Sequence, residues 1–294
     1  MVLCVSVELP IRPAATVILM RDGAAGLEVF LVQRHHAAAF MGGAHVFPGG
    51  RVDPSDYDCT PAWCDGTDAV RHKMPGVAAD IAAAFCVAGL RELFEEAGVL
   101  LARSAHSEAR PGELVSLIDA GEQERFRRHR HDVHAVRRTF HSVLEAERLR
   151  LALDALTPFA HWVTPPGDTR RFDTRFFAAR MPARQSPVHD ETEATHGAWM
   201  TSREALASAR RGDVILPPPT WVTLRELEPF PDVTDALAWA STRPVGRREP
   251  KVLEQNGARI LVLPGDPLHP EPAPPGCETR FVWTSDRWSP EMPA

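Results

Sequence analysis

Apolar residues near the start of the chain fall into two short runs that a turn signal separates. The first run covers residues 14–20 and the second covers residues 27–34, with Asp22, Gly23 and Gly26 between them. Aliphatic and β-branched runs bounded by such residues are typical of a β-hairpin. The same reasoning predicts further strands, over residues 45–47, 160–163, 172–179, 195–200, 260–263 and 280–283.

Helical spacing of apolar residues is clearest between residues 80 and 97. Asp80 is the predicted N-cap of this helix and Gly98 its C-terminal cap. A second helical region is predicted over residues 122–155, followed by shorter helices over 201–211, 220–227 and 234–239. Residues 51–79 are rich in Asp, Pro and Gly and predict a long loop, and residues 243–294 form a Pro-rich extension. Strands and helices in this order predict an α+β fold.

The helix over residues 80–97 carries charged and apolar side chains on opposite faces. Because each helical residue advances about 100°, Glu92, Glu95 and Glu96 share an arc of about 100°. Crowded carboxylates repel one another, and a divalent cation would turn that repulsion into binding, since Mg²⁺ prefers oxygen ligands. From this string alone, a solvated acidic face is the alternative.

The residues upstream favour the metal site. The predicted strand at Phe47 is followed by Pro48, Gly49 and Gly50. Two positions without side chains let the backbone approach a metal or a phosphate closely. Taken alone, the same residues are also consistent with a plain tight turn.

The composition of the chain argues against several classes of protein. A net charge of -6 argues against non-specific binding of nucleic-acid polymers, which needs a basic surface. The five cysteines are too few and too scattered for a disulfide scaffold. The first residues lack the pattern of a signal peptide, and the longest apolar run, residues 81–90, is too short for a membrane span. We therefore expect a cytoplasmic protein without a membrane segment.

These residues resemble the box of the Nudix hydrolase superfamily, G-x5-E-x7-R-E-U-x-E-E-x-G-U, where U is a bulky aliphatic residue. Gly50 matches its first glycine, and Asp56 stands where the box has Glu. The whole second half is matched, by Arg91, Glu92, Leu93, Glu95, Glu96, Gly98 and Val99. Between Asp56 and Arg91 lie 34 residues instead of 7, an insertion of 27. An interrupted box of this kind resembles the branch that includes peroxisomal coenzyme A diphosphatases, and the resemblance covers about residues 13–239.

The resemblance implies a Nudix-type α/β/α sandwich with a mixed sheet over residues 1–242. A loop insertion at about residues 57–82 and a helical insertion at about residues 110–157 would interrupt it. The Pro-rich extension over residues 243–294 would pack on this domain or on a partner subunit, and homodimers are common in the superfamily.

The resemblance also implies an activity: Mg²⁺- or Mn²⁺-dependent hydrolysis of a diphosphate linkage in a small molecule. The implied metal ligands are Glu95, Glu96 and the carbonyl of Gly50, with Glu92 as a further ligand or as the base. Arg91 would hold Glu92 through two parallel hydrogen bonds. In some Nudix enzymes the base lies on a distant loop, which here suggests Glu193 or Glu191.

A coenzyme A signature of some Nudix enzymes, L-L-T-x-R-[SA]-x3-R-x3-G-x3-F-P-G-G, is matched in part. Leu31, Arg34, Gly43 and residues 47–50 agree with it, whereas Val32, His35 and Ala39 depart from it. Arg34, Phe47 and Gly49 are accordingly the predicted substrate contacts. Coenzyme A or an acyl-CoA is one candidate substrate, beside other nucleoside diphosphates linked to a second moiety.

Other readings are kept open. One is a non-catalytic Nudix module that binds a nucleotide as a sensor. Another is a zinc-stabilised interaction protein, in which Cys59, Cys64 and His72 would hold the metal. The second helical region is rich in arginine, which favours either a solvated basic face or a grip on an anionic part of the substrate.

Overall fold

A computed structural model gives the structure of the chain. It describes residues 10–35, 42–105, 112–188, 194–272, 278–284 and 287–291. Glu191 and Glu193 lie outside these described residues, as do Cys4, Ala39 and Cys277. Among the helices within the described ranges, none is both long and apolar enough to cross a lipid bilayer.

Runs of strands and runs of helices follow one another along the chain. The strands are β1 (Ile11–Gly23), β2 (Gly26–Arg34), β3 (His45–Val46), β4 (Gly49–Arg51), β5 (Cys64–Asp65), β6 (Ala102–Ser104), β7 (Leu149–Ala152), β8 (Thr157–Val163), β9 (Arg171–Arg180), β10 (Ala194–Thr201), β11 (Arg247–Arg248), β12 (Lys251–Gln255), β13 (Ala258–Val262), β14 (Arg280–Thr284) and β15 (Arg287–Glu291). The α-helices are α1 (Thr67–Lys73), α2 (Ala79–Ala97), α3 (Ala120–His134), α4 (Phe140–Ala146), α5 (Ser202–Arg211), α6 (Pro218–Leu227) and α7 (Val233–Thr242).

A mixed sheet of eight strands forms the centre of the fold, in the order β10-β2-β1-β9-β8-β11, with β3 on β2 and β4 on β1. The predicted hairpin is present as β1 and β2, which pair antiparallel and turn between Gly23 and Gly26. β1 also pairs in parallel with β9, which makes the sheet mixed.

Both faces of the sheet are covered by helices. Val17 and Leu19 of β1 point into a core that includes the buried residues of α2, and the alternate residues Ile18 and Met20 point into a core that includes α5, α6 and α7. All four side chains are fully buried. Alternation along a strand places successive residues on opposite faces, so a strand that is buried throughout needs a layer on each side. The predicted α/β/α sandwich is therefore confirmed.

Helix α2 begins two residues earlier than predicted. Ala78 is its N-cap, with no side-chain cap, and Asp80 lies in the first turn. A carboxylate in the first turn still interacts favourably with the helix dipole, which explains the acidic residue without a capping role. At the other end Gly98 has φ +67° and donates its N–H to the carbonyl of Phe94, as predicted for the cap.

Two stretches differ more clearly from the prediction. The expected loop over residues 51–79 contains a 3-10 helix (Pro54–Asp58), β5 and α1. The expected long helix over residues 122–155 is divided into α3, α4 and β7. β7 pairs with β5 and β6, so the two interrupting segments meet in a small sheet of three strands. Pairing between distant segments leaves no local signal in the periodicity of either.

The C-terminal segment forms a four-stranded antiparallel sheet, β12-β13-β14-β15. Leu261, Leu263 and Phe281 are buried in the same core as helices α5 to α7. We call β12–β15 the C-terminal sheet.

Candidate active site

Helix α2 presents its acidic face to a cavity and its apolar face to the core. Leu90, Leu93 and Phe94 are almost completely buried. Glu92, Glu95 and Glu96, with Arg91, line a cavity of about 1330 Å³. The division into two faces that the sequence predicts is therefore present in the structure.

Arg91 is the centre of a buried network of ion pairs. Its Nε and Nη2 atoms donate to Oδ1 and Oδ2 of Asp56, each at 3.0 Å. Its Nη1 atom donates to Oε1 of Glu92 at 2.8 Å and to Oε1 of Glu95 at 2.9 Å. Nη2 also donates to the carbonyl oxygen of Arg51 at 2.8 Å. One guanidinium thus orders two carboxylates of α2 and the chain that follows the glycine turn.

The bidentate partner of Arg91 is Asp56, which corrects the expectation that it would be Glu92. Residues 91 and 92 are neighbours on the helix and project about 100° apart, so the fork of the guanidinium does not face the Glu92 carboxylate. Asp56 approaches from the 3-10 helix and accepts from both Nε and Nη2 of the fork. From Arg91, Glu92 receives the Nη1 hydrogen bond, and the same atom also donates to Glu95.

Asp56 explains how a box with an insertion of 27 residues stays together. Its side chain is only 2% exposed, against 7% for that of Arg91. It also accepts the backbone N–H of Asp53 at 2.8 Å. The ion pair joins the two halves of the box in space, although 34 residues lie between them in the chain. The aspartate that departs from the Nudix signature therefore has a defined partner.

Gly49 and Gly50 bring the backbone against the acidic face. The N–H of Gly49 donates to Oε2 of Glu96 at 2.9 Å. A β-carbon at position 50 would lie 2.4 Å from Oε1 of Glu92, and one at position 49 would lie 2.5 Å from the carbonyl oxygen of Ala15. A side chain at position 49 would meet backbone, and one at position 50 would displace the Glu92 carboxylate. Both glycines therefore support the interpretation of a close backbone approach.

Burial and neighbouring charges have opposite effects on the pKa values of Arg91 and Glu95. Burial raises the pKa of the Glu95 carboxyl by more than the Arg91 guanidinium lowers it. Burial would lower the pKa of Arg91, but its hydrogen bond to Asp56 and the surrounding carboxylates raise it instead, so Arg91 stays charged. His134 of α3 adds an imidazole whose Nδ1 lies 3.9 Å from Oε2 of Glu95.

The donor atoms of the acidic face fit a hard divalent cation. In the described part of the chain, no group of three or more His, Cys, Asp or Glu side chains is already arranged to hold an ion. Mg²⁺ does not need such a cage, because it binds through one or two carboxylates together with waters and substrate phosphates. Three carboxylates that line one cavity, beside a glycine turn, provide ligands of this kind.

All three predicted substrate residues, Arg34, Phe47 and Gly49, line the same cavity. Phe47 is also part of the core on the second face of the sheet. The Nε atom of Arg34 is buried without a hydrogen-bond partner. The positive charge of Arg34 at the cavity wall favours an anionic ligand.

The alternative zinc site does not form. Sγ of Cys59 lies 2.7 Å from Sγ of Cys64, but Nδ1 of His72 contacts the carbonyl oxygen of Asp68 in its own helix. The three side chains are thus not a ligand set.

The arginines of α3 do not form an anion grip. Arg125 and Arg127 are exposed and pair with glutamates, whereas Arg130 is buried and donates to the carbonyl oxygens of Glu95 and Val188. His134 of the same helix lines the cavity.

Sequence reasoning missed a second group of residues that line the cavity. They lie on β1, on the loop between β8 and β9, and on the C-terminal sheet, and include Arg12, Asp168, Arg170, Arg259, Trp283, Arg287 and Trp288. No motif connects them, since the fold brings them together from distant parts of the chain.

The sandwich, the glycine turn and the Arg-centred acidic helix together define a protein of the Nudix class. The sequence profile described as the NUDT19 Nudix domain matches residues 65–227, more than half of the chain. The chain therefore belongs to the NUDT19 Nudix family. It is 30% identical to acyl-coenzyme A diphosphatase NUDT19 of Homo sapiens, over 84% of this chain and 74% of that protein.

Two further comparisons agree with this assignment. The chain is 25% identical to acyl-coenzyme A diphosphatase NUDT19 of Xenopus laevis, over 89% of this chain and 76% of that protein. Among solved structures, a NUDIX hydrolase from Alicyclobacillus acidocaldarius superposes with a TM-score of 0.63 at 27% identity, and covers 80% of this chain and 99% of the other.

Proposed function

We propose that this protein hydrolyses the diphosphate linkage of coenzyme A or an acyl-CoA with the help of Mg²⁺ or Mn²⁺. The observation that carries the proposal is the acidic face of α2, held by the Asp56–Arg91 pair at the wall of a large cavity. Relatives of this chain are named acyl-coenzyme A diphosphatases, which supports the choice of substrate.

Each residue of the site has a proposed role. Glu95, Glu96 and the carbonyl of Gly50 would hold the metal, and Glu92 would be a further ligand or the base that takes a proton from water. A bound divalent ion polarises phosphoryl oxygens and lowers the pKa of a bound water. Glu193, proposed as an alternative base, lies outside the described residues.

The chain also contributes groups that bind and orient the substrate. Arg34 lines the cavity, where its guanidinium would donate to a phosphate oxygen. In the reaction the oxygen of water attacks one phosphorus, and the bridging P–O bond breaks. The products are then adenosine 3′,5′-bisphosphate and 4′-phosphopantetheine, or its acylated form.

The size of the cavity suits a long substrate. Pockets for drug-sized ligands have volumes of roughly 300–1,000 Å³, and this cavity reaches about 1330 Å³. Coenzyme A is longer than a simple nucleotide and would use such a volume. Other nucleoside diphosphates linked to a second moiety remain the comparison set for an assay.

The test is a panel assay with Mg²⁺ and with Mn²⁺ over coenzyme A, acyl-CoA, NADH, ADP-ribose and dinucleoside polyphosphates. We expect turnover of coenzyme A esters that requires metal and that Glu96→Gln or Glu95→Gln abolishes without unfolding the protein. The matched control is Glu124→Gln, because Glu124 is an exposed glutamate of α3 outside the cavity. Normal turnover by either site variant under saturating Mg²⁺ would contradict the metal assignment.

The same assay distinguishes the second reading, a nucleotide-binding sensor without catalysis. A sensor would bind substrates from the panel and hydrolyse none of them. The intact set of Glu92, Glu95 and Glu96 favours the enzyme, since a binding module has no need of three crowded carboxylates. A cytoplasmic location and a homodimer stay predictions, which cell fractionation and light scattering would test.

A further inference from the structure

We propose that the C-terminal sheet is the subsite for the nucleotide end of the substrate. Trp283 and Trp288 would receive the aromatic base, and Arg259 and Arg287 would receive the phosphate on the ribose. The inference rests on the proposed function, because it takes the substrate to be a nucleotide that carries a diphosphate and a further phosphate.

The C-terminal sheet is a wall of the same cavity that the acidic face of α2 lines. Val252, Arg259, Leu261, Trp283, Arg287 and Trp288 face this cavity. Leu261 and Phe281 fix the sheet to the core beneath it. A substrate whose diphosphate lies at the glutamates is thus able to contact the C-terminal sheet in the same cavity.

Two tryptophans on this wall form an aromatic platform. The ring centroids of Trp283 and Trp288 are 5.2 Å apart, and their planes meet at 70°. Trp283 is 36% exposed, which is unusual for so large an apolar ring. Every nucleic base has a π-face, and stacking on tryptophan is a common way to hold one.

The arginines give the platform a charge opposite to that of the metal site. The guanidinium of Arg259 lies 5.6 Å from the ring of Trp288, and its Nη2 lies 3.6 Å from Oδ1 of Asp168. Arg259 is 45% exposed and Asp168 is 31% exposed, so this ion pair is weak and a phosphate is able to compete for the arginine. Arg287 adds a second guanidinium on the same wall.

Polarity along the cavity sets the orientation of the substrate. One part holds Glu92, Glu95 and Glu96, and suits a metal-bound diphosphate. The other part combines tryptophans with arginines, which suits a base and a phosphate and does not suit an uncharged pantetheine or acyl chain. The nucleotide end should therefore lie on the C-terminal sheet.

The first experiment measures binding without metal. The full-length protein is titrated with adenosine 3′,5′-bisphosphate in the presence of EDTA and followed by calorimetry. We expect Trp288→Ala and Arg259→Gln each to raise Kd about tenfold, and Trp288→Phe, which keeps a ring, to restore binding. Arg127→Gln is the matched control, since Arg127 is an exposed arginine of α3 outside the cavity. Thermal melts establish that each variant is folded.

Binding of two further ligands distinguishes the role of Arg259, which is to bind the phosphate, from that of Trp288, which is to stack on the base. AMP lacks the 3′-phosphate, so Arg259→Gln should leave its Kd unchanged while Trp288→Ala weakens it. 4′-Phosphopantetheine should bind equally well to all variants. The inference is overturned if the variants bind the bisphosphate like the wild type, or if they lose 4′-phosphopantetheine instead.

Turnover provides the second readout. Arg259→Gln should raise KM for coenzyme A about tenfold with kcat unchanged, and should leave KM for dephospho-coenzyme A unchanged. If the wild type hydrolyses coenzyme A and Arg259→Gln behaves identically, the inference alone fails. If the wild type hydrolyses no coenzyme A ester, the proposed function fails, whatever the binding experiment shows.

Discussion

Gly50 lies against the carboxylate of Glu92 so closely that a β-carbon at position 50 would be 2.4 Å from Oε1 and 2.7 Å from Oε2. The carboxylate is the far end of a flexible side chain and is able to move. We therefore expect Gly50→Ala to fold normally but to displace Glu92, with a loss of about 10²-fold in kcat. Steady-state kinetics and a thermal melt of the same preparation measure the two effects.

The neighbouring Gly49→Ala should behave in the opposite way. Its β-carbon would meet backbone atoms, the carbonyl oxygen of Ala15 at 2.5 Å and Cα of Thr16 at 2.7 Å. Backbone in a sheet cannot move aside, so we expect a loss of about 1–3 kcal/mol in the free energy of unfolding. Gly246→Ala is the control, because the β-carbon that it adds would meet no atom within 4 Å. Equal stabilities of Gly49→Ala and Gly246→Ala would contradict the prediction.

The Asp56→Asn variant should be less stable than a variant of an exposed aspartate in the same segment. It removes the bidentate partner of a buried guanidinium. Loss of one member of a buried pair costs about 3–5 kcal/mol, and we expect the lower end of this range because Glu92 and Glu95 still pair with Arg91. Asp58 lies in the same 3-10 helix and is exposed, so Asp58→Asn should change stability by less than about 0.5 kcal/mol. Denaturant unfolding of both variants gives the comparison.

The free energy of unfolding should fall in mildly acidic solution because of His45. Burial, with a smaller contribution from His196, lowers the pKa of His45 from its ordinary value of 6.5. As pH falls below 6.5, the unfolded chain binds a proton that the folded chain resists. The contribution of His45 to stability is therefore fully present above that pH and declines as pH approaches the lower pKa of the folded state.

Substitution isolates this contribution from other titrating groups. Between pH 7.5 and about pH 5, the free energy of unfolding should fall less for His45→Gln than for the wild type. His131→Gln, which replaces an exposed histidine of α3, should follow the wild type. Identical pH dependence of all three proteins would rule the prediction out.

The thiol of Cys59 should react with an alkylating reagent before that of Cys86. Its hydrogen bond with Cys64 lowers its pKa, whereas burial raises the pKa of Cys86. At neutral pH iodoacetamide should therefore label Cys59 well before Cys86, since the thiolate is the nucleophile. Cys64→Ala removes the hydrogen bond and should slow the labelling of Cys59. Mass spectrometry of the two peptides in one digest provides the internal comparison, and faster labelling of Cys86 would contradict it.

The sequence predicted the elements whose signals are local. Helix α2 follows from its period and from Gly98, and the hairpin follows from two apolar runs around a turn. The prediction of one helix over residues 122–155 was wrong, because the local backbone geometry interrupts this segment. Val136 has a φ of +55°, and Thr139 caps a new helix by accepting the N–H of Ser142. The threonine is a capping signal that an apolar period spanning the break concealed.

The candidate active site shows the same difference between residues with a local signal in the sequence and residues without one. The box predicts the acidic helix and the glycine turn, because both are contiguous in the chain. It does not predict that Asp56 takes the fork of Arg91, since that depends on how the 3-10 helix packs against α2. The cavity wall at Trp283 and Trp288 depends on the docking of a sheet about 190 residues further along, which no motif encodes.

The Asp56–Arg91 pair also has a consequence for the segment between the two halves of the box. Because the ion pair fixes the two halves in space, the reacting atoms set no requirement on the length of chain between them. Residues 59–78 are held by packing instead, since Trp63, Val70 and Met74 are buried in the core that includes α2. A pattern that counts residues between the halves therefore describes how this segment folds and not the active site.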